Sequence, residues 1–236
     1  MAEDISFDVS SCEMMGLIGP NGAGKTSLLN MISGIYSMDK GRIMFGDVDV
    51  SKAPAHKRAR LGLARTFQAP RFLQRSNIRD NLLLGTDLAD QYTFFQSFIG
   101  KKSKDFEEEL SELMEIAGFT FDWDDLIAAF PYGRLKILEI VRAMLSKPRI
   151  LLIDEPAAGL NDIEIGHAVA LLKLATEKRG MGVVLIEHKM DMVMNNCHNI
   201  VVLNFGKVIA KGQPEMISKN KDVIEAYLGR GYDVAN

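Results

Sequence analysis

Gly19-Pro20-Asn21-Gly22-Ala23-Gly24-Lys25-Thr26 is the stretch of sequence that decides the fold. It follows the apolar run Met14–Gly19, which is typical of a buried strand, and it leads into Lys25–Ser33, which has a helical pattern. A G-x-x-x-x-G-K-[ST] loop in this context is a phosphate-binding loop, because its glycines let backbone N–H groups curl around phosphate oxygens. We expect Lys25 to reach the outer phosphates and Thr26 to hold Mg²⁺. The predicted nucleotide contacts are Gly19, Pro20, Asn21, Gly22, Ala23, Gly24, Lys25, Thr26 and Ser27.

A second apolar run, Ile150–Ile153, ends in two adjacent carboxylates, Asp154 and Glu155. In phosphate-loop proteins such an Asp completes the Mg²⁺ shell, and a carboxylate beside it can polarise an attacking water. Taken alone, the two acids could be a solvated strand end. Together with the phosphate loop they predict a site that binds ATP and Mg²⁺, with Asp154 as a metal ligand and Glu155 as the general base.

The rest of the chain alternates strands with helices, which predicts an α/β fold with a mostly parallel sheet. Gly182–Ile186 reads as a strand, Asp162–Lys178 as a helix, and Ile200–Phe205 with Val208–Ala210 as strands joined by the turn Gly206–Lys207. A short helix is expected near Lys221–Leu228. The stretch from Arg71 to Lys147 is helical in pattern, so we predict a core of residues 1–70 and 148–236 with a helical lobe, residues 71–147, inserted in it.

The composition and charge of the chain argue against several classes of function. The formal net charge is −3 and a quarter of the residues are charged, and without a long Lys/Arg block we expect no nucleic-acid partner. The two cysteines, Cys12 and Cys197, lack the spacing of a metal or redox site. The first residues do not form a secretory signal, so we expect the protein to stay in the cytoplasm. No apolar run approaches the roughly 20 residues of a membrane-spanning helix, so any membrane role would come through a partner.

Three further segments, in their order along the chain, resemble the ABC ATPase family. Thr66-Phe67-Gln68 resembles its Q-loop, Ala157–Asp162 its D-loop, and Ile186-Glu187-His188 the strand end that carries its switch histidine. The resemblance implies a P-loop NTPase (RecA-like) core with a small antiparallel β part and an inserted helical subdomain. It also implies that Gln68 contacts the metal and the attacking water, and that His188 contacts the γ-phosphate.

Within this family, the chain is most similar to the ATP-binding subunits of branched-chain amino-acid uptake systems. The resemblance implies transmembrane permease subunits as partners, a second ATP-binding subunit, and indirectly an extracytoplasmic substrate-binding protein. The chain would lie on the inner face of the cell membrane, and its surface from Gln68 into Pro70–Asn81 would receive the permease. The segments that carry the similarity are Arg65–Gln68, Leu138–Ala143, Asp154–Asn161, Glu187–Met190 and Asp222–Gly229.

Two segments depart from the family pattern. The signature motif reads Phe130-Pro131-Tyr132-Gly133-Arg134, in which only Gly133 is retained and Pro131 replaces the serine that would bond the ATP of the opposite subunit. Losing that bond should cost about 1.5–3 kcal/mol. The resemblance implies that Gly133 is a nucleotide contact. The alternative is that this segment is only a helix cap in a degenerate subunit. The chain also begins near the expected strand Ile5–Val9, without an upstream aromatic residue for adenine. Phe7 could substitute for it, but we expect Phe7 to be a core residue of a strand edge.

Two other functions remain open: a nucleotide-binding regulatory subunit with negligible turnover, and a soluble ABC ATPase of DNA repair or translation. Other conspicuous residues have structural interpretations. We expect Met190, Met192 and Met194 to pack in the core. The acidic group Asp122, Asp124 and Asp125 should form a solvated turn or a helix start. The basic group His56, Lys57, Arg58 and Arg60 should form an exposed helical face.

Overall fold

The computed structural model describes residues 2–84, 104–120, 122 and 124–228. Part of the expected helical lobe, residues 85–103, and the end of the last similar segment, at Gly229, lie outside the described residues. Within the described ranges, no helix combines the length and the apolar character that crossing a membrane requires.

A six-stranded sheet forms the centre of the molecule, in the order β4-β5-β6-β1-β7-β8. The first five strands in this order are parallel, and β8 runs antiparallel to β7 with a bulge between Val202 and Leu203. A separate antiparallel pair, β2 and β3, forms a small second sheet. This confirms the predicted α/β fold with a mostly parallel sheet and a small antiparallel part. The strands are β1 Met14–Ile18, β2 Met44–Phe45, β3 Val48–Asp49, β4 Leu63–Arg65, β5 Ile150–Asp154, β6 Gly182–Ile186, β7 Asn199–Asn204 and β8 Lys207–Gly212.

Helices flank the sheet, and between residues 71 and 147 the described elements are helical apart from one isolated bridge between Asn77 and Leu126. The expected helices after the phosphate loop, between β5 and β6, and at the C-terminus are all present. The α-helices are α1 Lys25–Ile32, α2 Ala55–Arg60, α3 Ile78–Leu83, α4 Lys104–Ile116, α5 Tyr132–Leu145, α6 Asp162–Lys173, α7 Met190–Asn196, α8 Pro214–Ile217 and α9 Lys221–Leu228. Helix α6 continues into a π-helical turn at Leu174–Lys178.

The central strands are buried on both faces. Along β1, Met14 and Ile18 belong to one apolar cluster, whereas Met15 and Leu17 belong to the other. Successive side chains of a strand point to opposite faces, so a strand covered on both sides reads as a continuous apolar run. This is why β1, β5, β6 and β7 were readable from the sequence. Met192 is buried as expected, and Met190 and Met194 pack against the same cluster.

The N-terminal segment and the acidic group near Trp123 differ in how well they match the expectations. Ile5–Val9 is not a hydrogen-bonded strand, and Ile5, Phe7 and Val9 pack against the cluster that contains Leu17. The strand prediction was therefore wrong, because alternating burial requires no partner strand, whereas the packing role of Phe7 is confirmed. Asp122 and Asp125 are exposed and hydrogen-bonded to each other in a turn, which is the first of the two predicted structures.

The basic helical face was predicted wrongly at one position. His56, Lys57 and Arg60 are exposed on α2, but the Arg58 side chain is only 1% exposed. Its guanidinium donates to the carbonyls of Met31 and Ile32 at the end of α1, and also to those of Ser51 and Ala53. The last carbonyls of a helix lack partners within the helix, so a buried arginine fork can satisfy several of them at once.

Candidate nucleotide-binding and hydrolysis site

The phosphate loop connects β1 to α1. Gly24 precedes the helix with φ 101°, a left-handed conformation that glycine adopts without strain. The Lys25 ammonium lies inside the loop and donates to Gly19 O at 2.7 Å and to Pro20 O at 3.2 Å. Burial lowers the pKa of Lys25, while the carboxylates of Glu155 and Asp154 act in the opposite direction. The loop lysine is therefore within electrostatic reach of the two carboxylates at the end of β5.

The order of the strands explains why these distant segments meet. Strands β5, β6 and β1 are adjacent and parallel, so their carboxyl ends lie along one edge of the sheet. That edge is where ligands bind in open α/β sheets. It carries the phosphate loop after Ile18, Asp154 as the last residue of β5 with Glu155 directly after it, and His188 after β6.

Asp154 is fixed by β4 and by α1. Its backbone N–H donates to Thr66 Oγ1 at 3.2 Å, and its Oδ2 lies 3.3 Å from the Arg65 guanidinium. Arg65 also donates to Asn30 Oδ1 at 2.7 Å and to Ser33 Oγ at 2.9 Å. Burial raises the pKa of Asp154, and the neighbouring Arg65 cation opposes that rise. One arginine thus ties the carboxylate to the helix that follows the phosphate loop.

Glu155 is held between Gln68 and His188. Gln68 Nε2 donates to Glu155 Oε2 at 3.2 Å, and His188 Nε2 lies 2.9 Å from Glu155 Oε1. The backbone of Glu155 is left-handed, with φ 50°, which is uncommon for a residue with a side chain and is concentrated at functional sites. The structure therefore brings together the three residues that the sequence proposed as catalytic.

A buried carboxylate that the sequence analysis left without a role organises the neighbouring loops. Glu187 is 3% exposed, and it accepts hydrogen bonds from the backbone N–H groups of Ala157, His188 and Lys189 at 2.6, 2.9 and 3.2 Å. These bonds join the start of the segment 157–162 to the segment that carries His188. A charged residue directly after the apolar run Gly182–Ile186 was the available signal for this role.

Helix α5 contacts Gln68 and Glu155 of the same chain. Pro131 precedes the helix without a side-chain cap, and Tyr132 Oη donates to the backbone carbonyl of Gln68 at 2.9 Å. Lys136, one turn later, donates to the backbone carbonyl of Glu155. The sequence analysis assigned no role in the site to either side chain. The sequence feature that could have indicated Lys136 is the presence of a lysine on the apolar face of a helix.

Gly133 and the segment 157–162 meet at a capping box. The Asn161 side chain accepts from the backbone N–H of Glu164, and the Glu164 carboxylate accepts from the backbone N–H of Asn161, both at 3.0 Å. A Cβ atom on Gly133 would lie 2.9 Å from the Glu164 carboxylate oxygens. A side chain at position 133 would therefore displace the Glu164 carboxylate from this position. The contact of Gly133 with nucleotide stays a prediction.

The remaining predicted contacts lie in the loop and in the first turn of α1. Asn21, Gly22 and Thr26 are exposed, and Ser27 is half-buried. A Cβ on Gly22 would meet no atom within 4 Å, so the backbone there is open to a ligand. Ala23 N donates to Pro20 O at 3.1 Å, which keeps the loop curled.

The predicted metal ligands have the chemistry that Mg²⁺ prefers. Thr26, Asp154 and Gln68 supply a hydroxyl, a carboxylate and an amide oxygen, which are hard oxygen donors. Protein sites for Mg²⁺ commonly use one or two carboxylates together with substrate phosphates. In the described parts of the chain no group of three or more His, Cys, Asp or Glu side chains is arranged to hold a metal. The residues present fit a magnesium ion that is shared with a nucleotide.

Comparisons with known proteins agree with this geometry. The family model of the ABC transporter matches residues 2–158, and the model of the branched-chain amino acid ATP-binding cassette transporter matches residues 207–233. The chain is 36% identical to the probable branched-chain amino acid transport ATP-binding protein LivG of Archaeoglobus fulgidus, covering 95% of this chain and 88% of that one. It is 37% identical to the high-affinity branched-chain amino acid transport ATP-binding protein BraF of Pseudomonas aeruginosa, covering 95% and 90%.

A solved structure of an ATP-binding cassette is also similar to this chain. The ADP conformation of an ATP-binding cassette of an ABC transporter superposes with a TM-score of 0.81 at 27% identity, over 97% of this chain and 92% of that one. The structure and the two sequence relatives cover nearly the whole chain. The chain therefore belongs to the ATP-binding subunits of the ABC transporter family, the ATPases whose hydrolysis of ATP powers transport.

Proposed function

We propose that this chain hydrolyses ATP with Glu155 as the general base and uses the reaction to drive a transporter of branched-chain amino acids. The observation that carries the proposal is the position of the Glu155 carboxylate, between Gln68 Nε2 at 3.2 Å and His188 Nε2 at 2.9 Å. The Glu155 side chain is 19% exposed. Its carboxylate is therefore held by two neighbouring side chains and is still accessible to a water molecule.

Each residue of the site has a distinct role in this proposal. The backbone N–H groups of the phosphate loop and the Lys25 ammonium bind the phosphates. Glu155 accepts the proton of the attacking water, and Gln68 and His188 keep its carboxylate in place. Mg²⁺, held by Thr26, Asp154 and Gln68 together with the phosphates, would neutralise charge on the triphosphate.

Two ATP-binding subunits would form the working unit. In the proposed dimer, the segment around Gly133 of one subunit faces the nucleotide held by the phosphate loop of the other. Tyr132 is 51% exposed and Ile163, next to the capping box, is 75% exposed, which supports an interface there. Closure on ATP and reopening after hydrolysis would then bias the transporter between two arrangements. Residues 71–147 are proposed to move as a helical lobe against the core of residues 1–70 and 148–236.

The permease partner is proposed to dock near Gln68, along Pro70–Asn81. Asn81 is 1% exposed and bonds the backbone of Leu73 in both directions, which fixes this segment. Leu73 is 54% exposed, as is Leu126, whose segment bridges to Asn77. Exposed leucines on a fixed backbone suit an interaction surface. The chain would thus sit on the inner face of the cell membrane, and the match over residues 207–233 supports a branched-chain amino acid as the transported molecule.

A regulatory subunit with negligible turnover is the second candidate. It is favoured by Pro131, which starts α5 without the side-chain hydroxyl that the signature motif of active relatives would supply. Such a subunit would bind ATP at Lys25 with ordinary affinity and would leave hydrolysis to its partner.

Phosphate release by the purified chain, alone and reconstituted with its permease, tests the proposal. We expect Glu155→Gln to lower kcat by about 10²–10⁴ while ATP binding is retained, because a general base contributes that much to rate. Glu215→Gln, at an exposed position on α8, is the matched control and should behave as the wild type. Equal turnover of wild type and Glu155→Gln would exclude Glu155 as the base. Leucine uptake that does not depend on this chain would exclude the transport role.

A further inference from the structure

Lys136 is a buried lysine in the middle of helix α5. It is 4% exposed, and its ammonium group donates to the backbone carbonyl oxygen of Glu155. The same carbonyl accepts from the backbone N–H of Ala158 at 3.3 Å. Buried ammonium groups are uncommon unless they are paired, so a structural account of Lys136 has to explain why a cation is retained at this depth.

The backbone that Lys136 holds is strained. Glu155 has φ 50°, a left-handed conformation that a residue with a Cβ adopts at a cost, and the following Pro156 restricts it further. Its N–H donates to Ile186 O at 2.9 Å. With Lys136 on the carbonyl, both polar backbone groups of Glu155 are fixed, and a strained backbone persists only where its surroundings hold it in this way.

Lys136 also lies among the carboxylates of the site. Burial, the largest effect, lowers the pKa of Lys136, and the charges of four neighbouring acids act in the opposite direction: Glu187, Glu155, Glu139 and Asp154. The adjacent acids Asp154 and Glu155 repel each other, and Asp154 is among the groups whose charge Lys136 stabilises. The Lys136 side chain therefore links α5 to the backbone between these carboxylates, at Glu155 O.

We propose that Lys136 is a positioning residue that holds the strained backbone of Glu155, and thereby its carboxylate, in the orientation that hydrolysis needs. The inference rests on the proposed role of Glu155 as the base. It links α5, the helix that follows the signature segment, to the reacting carboxylate of the same chain. Tyr132, which bonds the Gln68 carbonyl at 2.9 Å, provides a parallel link from the same helix to Gln68.

Steady-state kinetics of Lys136→Met test this role. We expect kcat to fall about tenfold or more, because misplacing a catalytic group by a fraction of an ångström to 1 Å is costly. The KM for ATP and the affinity for a fluorescent ATP analogue should stay within about threefold of wild type, because phosphate binding does not use this contact. Lys136→Arg keeps a cationic donor and should recover much of the lost kcat. Lys173→Met, an exposed lysine on α6, should leave kcat unchanged.

A double-mutant cycle and amide exchange separate positioning from general damage. If Lys136 acts through Glu155, adding Lys136→Met to Glu155→Gln should change the residual rate little. Lys136→Met should also speed amide exchange at Glu155 and Ala158, and Lys173→Met should not. Unchanged kcat in Lys136→Met, or the same fold-loss in both backgrounds, would overturn the proposal. Equal activity of Glu155→Gln and wild type would instead refute the base assignment, and amide exchange would still show whether Lys136 holds this backbone.

Discussion

The guanidinium of Arg65 lies 3.3 Å from the Asp154 carboxylate, and the two side chains are only 7% and 4% exposed. The same guanidinium bonds Asn30 and Ser33 in and just after α1. Buried ion pairs add little net stability, but removing one partner leaves an uncompensated charge. The position of Asp154, the predicted metal ligand, therefore depends on Arg65, a residue that is not part of the phosphate loop.

Replacing Arg65 should destabilise the fold. We expect Arg65→Ala to lower the free energy of unfolding by about 3 kcal/mol, because it strands the buried Asp154 charge. Arg65→Lys should recover part of the loss, since it restores a charge without the planar fork. Arg42→Ala, at an exposed position, is the control, and urea unfolding monitored by circular dichroism is the measurement. A loss in Arg65→Ala no larger than in Arg42→Ala would contradict the expectation.

Arg58 should be equally important for a different reason. Arg58→Met removes the guanidinium that donates to four backbone carbonyls, those of Met31, Ile32, Ser51 and Ala53. We therefore expect a loss of about 2 kcal/mol or more in the free energy of unfolding. Arg60→Met, two positions along the same helix but exposed, should change it by less than about 0.5 kcal/mol. Thermal unfolding of both variants compares them directly, and similar melting temperatures would show that the buried fork is dispensable.

Glu139 should make stability depend on pH. Burial raises the pKa of Glu139 to about 7, against the opposing effect of Arg142, so the folded protein holds a proton that the unfolded chain releases near pH 4.5. The free energy of unfolding should therefore fall as pH rises from about 4.5 to 7, by up to about 3 kcal/mol. Glu139→Gln should flatten this slope, whereas Glu108→Gln at an exposed position should not. Parallel profiles of wild type and Glu139→Gln in urea unfolding between pH 5 and 8 would disprove the assignment.

Pro131→Ser tests what the altered signature segment costs. Serine is a favoured N-cap, so α5 should gain about 1 kcal/mol. If the hydroxyl also bonds the ATP of a second subunit, the ATP concentration for half-maximal dimerisation should fall about tenfold. Pro131→Ala provides neither group and is the control. Equal dimerisation of the two variants, measured by light scattering against ATP concentration, would show that the segment is only a helix cap.

The parts of the fold that could be read from the sequence were those with strong local signals. Ile150–Asp154 and Gly182–Ile186 are continuous apolar runs because their strands are covered on both faces. Leu63–Arg65 could not be read, because a three-residue strand is defined by its partner β5 and carries no pattern of its own. The burial of Arg58 could not be predicted either. The sequence of a short basic helix is the same whether or not one of its arginines binds the end of another helix.

The residues of the site that could be predicted from the sequence are those that belong to contiguous motifs. Lys25, Asp154 and Glu155 were readable because each stands at a fixed place after an apolar run. Lys136 and Glu187 were not, because their contacts are with backbone groups that come close only when α5 and β6 are assembled against β5. Such supporting contacts depend on three-dimensional neighbours rather than on spacing in the chain.

The strand order has a consequence for how the molecule is made. The strand that leads into the phosphate loop, Met14–Ile18, pairs with Gly182–Ile186 and Asn199–Asn204. It therefore emerges from the ribosome long before either neighbour exists. This apolar segment stays without its native partner strands until most of the polypeptide has been synthesised. Folding is therefore expected to be slow and prone to aggregation. Truncated products that end before residue 182 should consequently fail to acquire affinity for nucleotide.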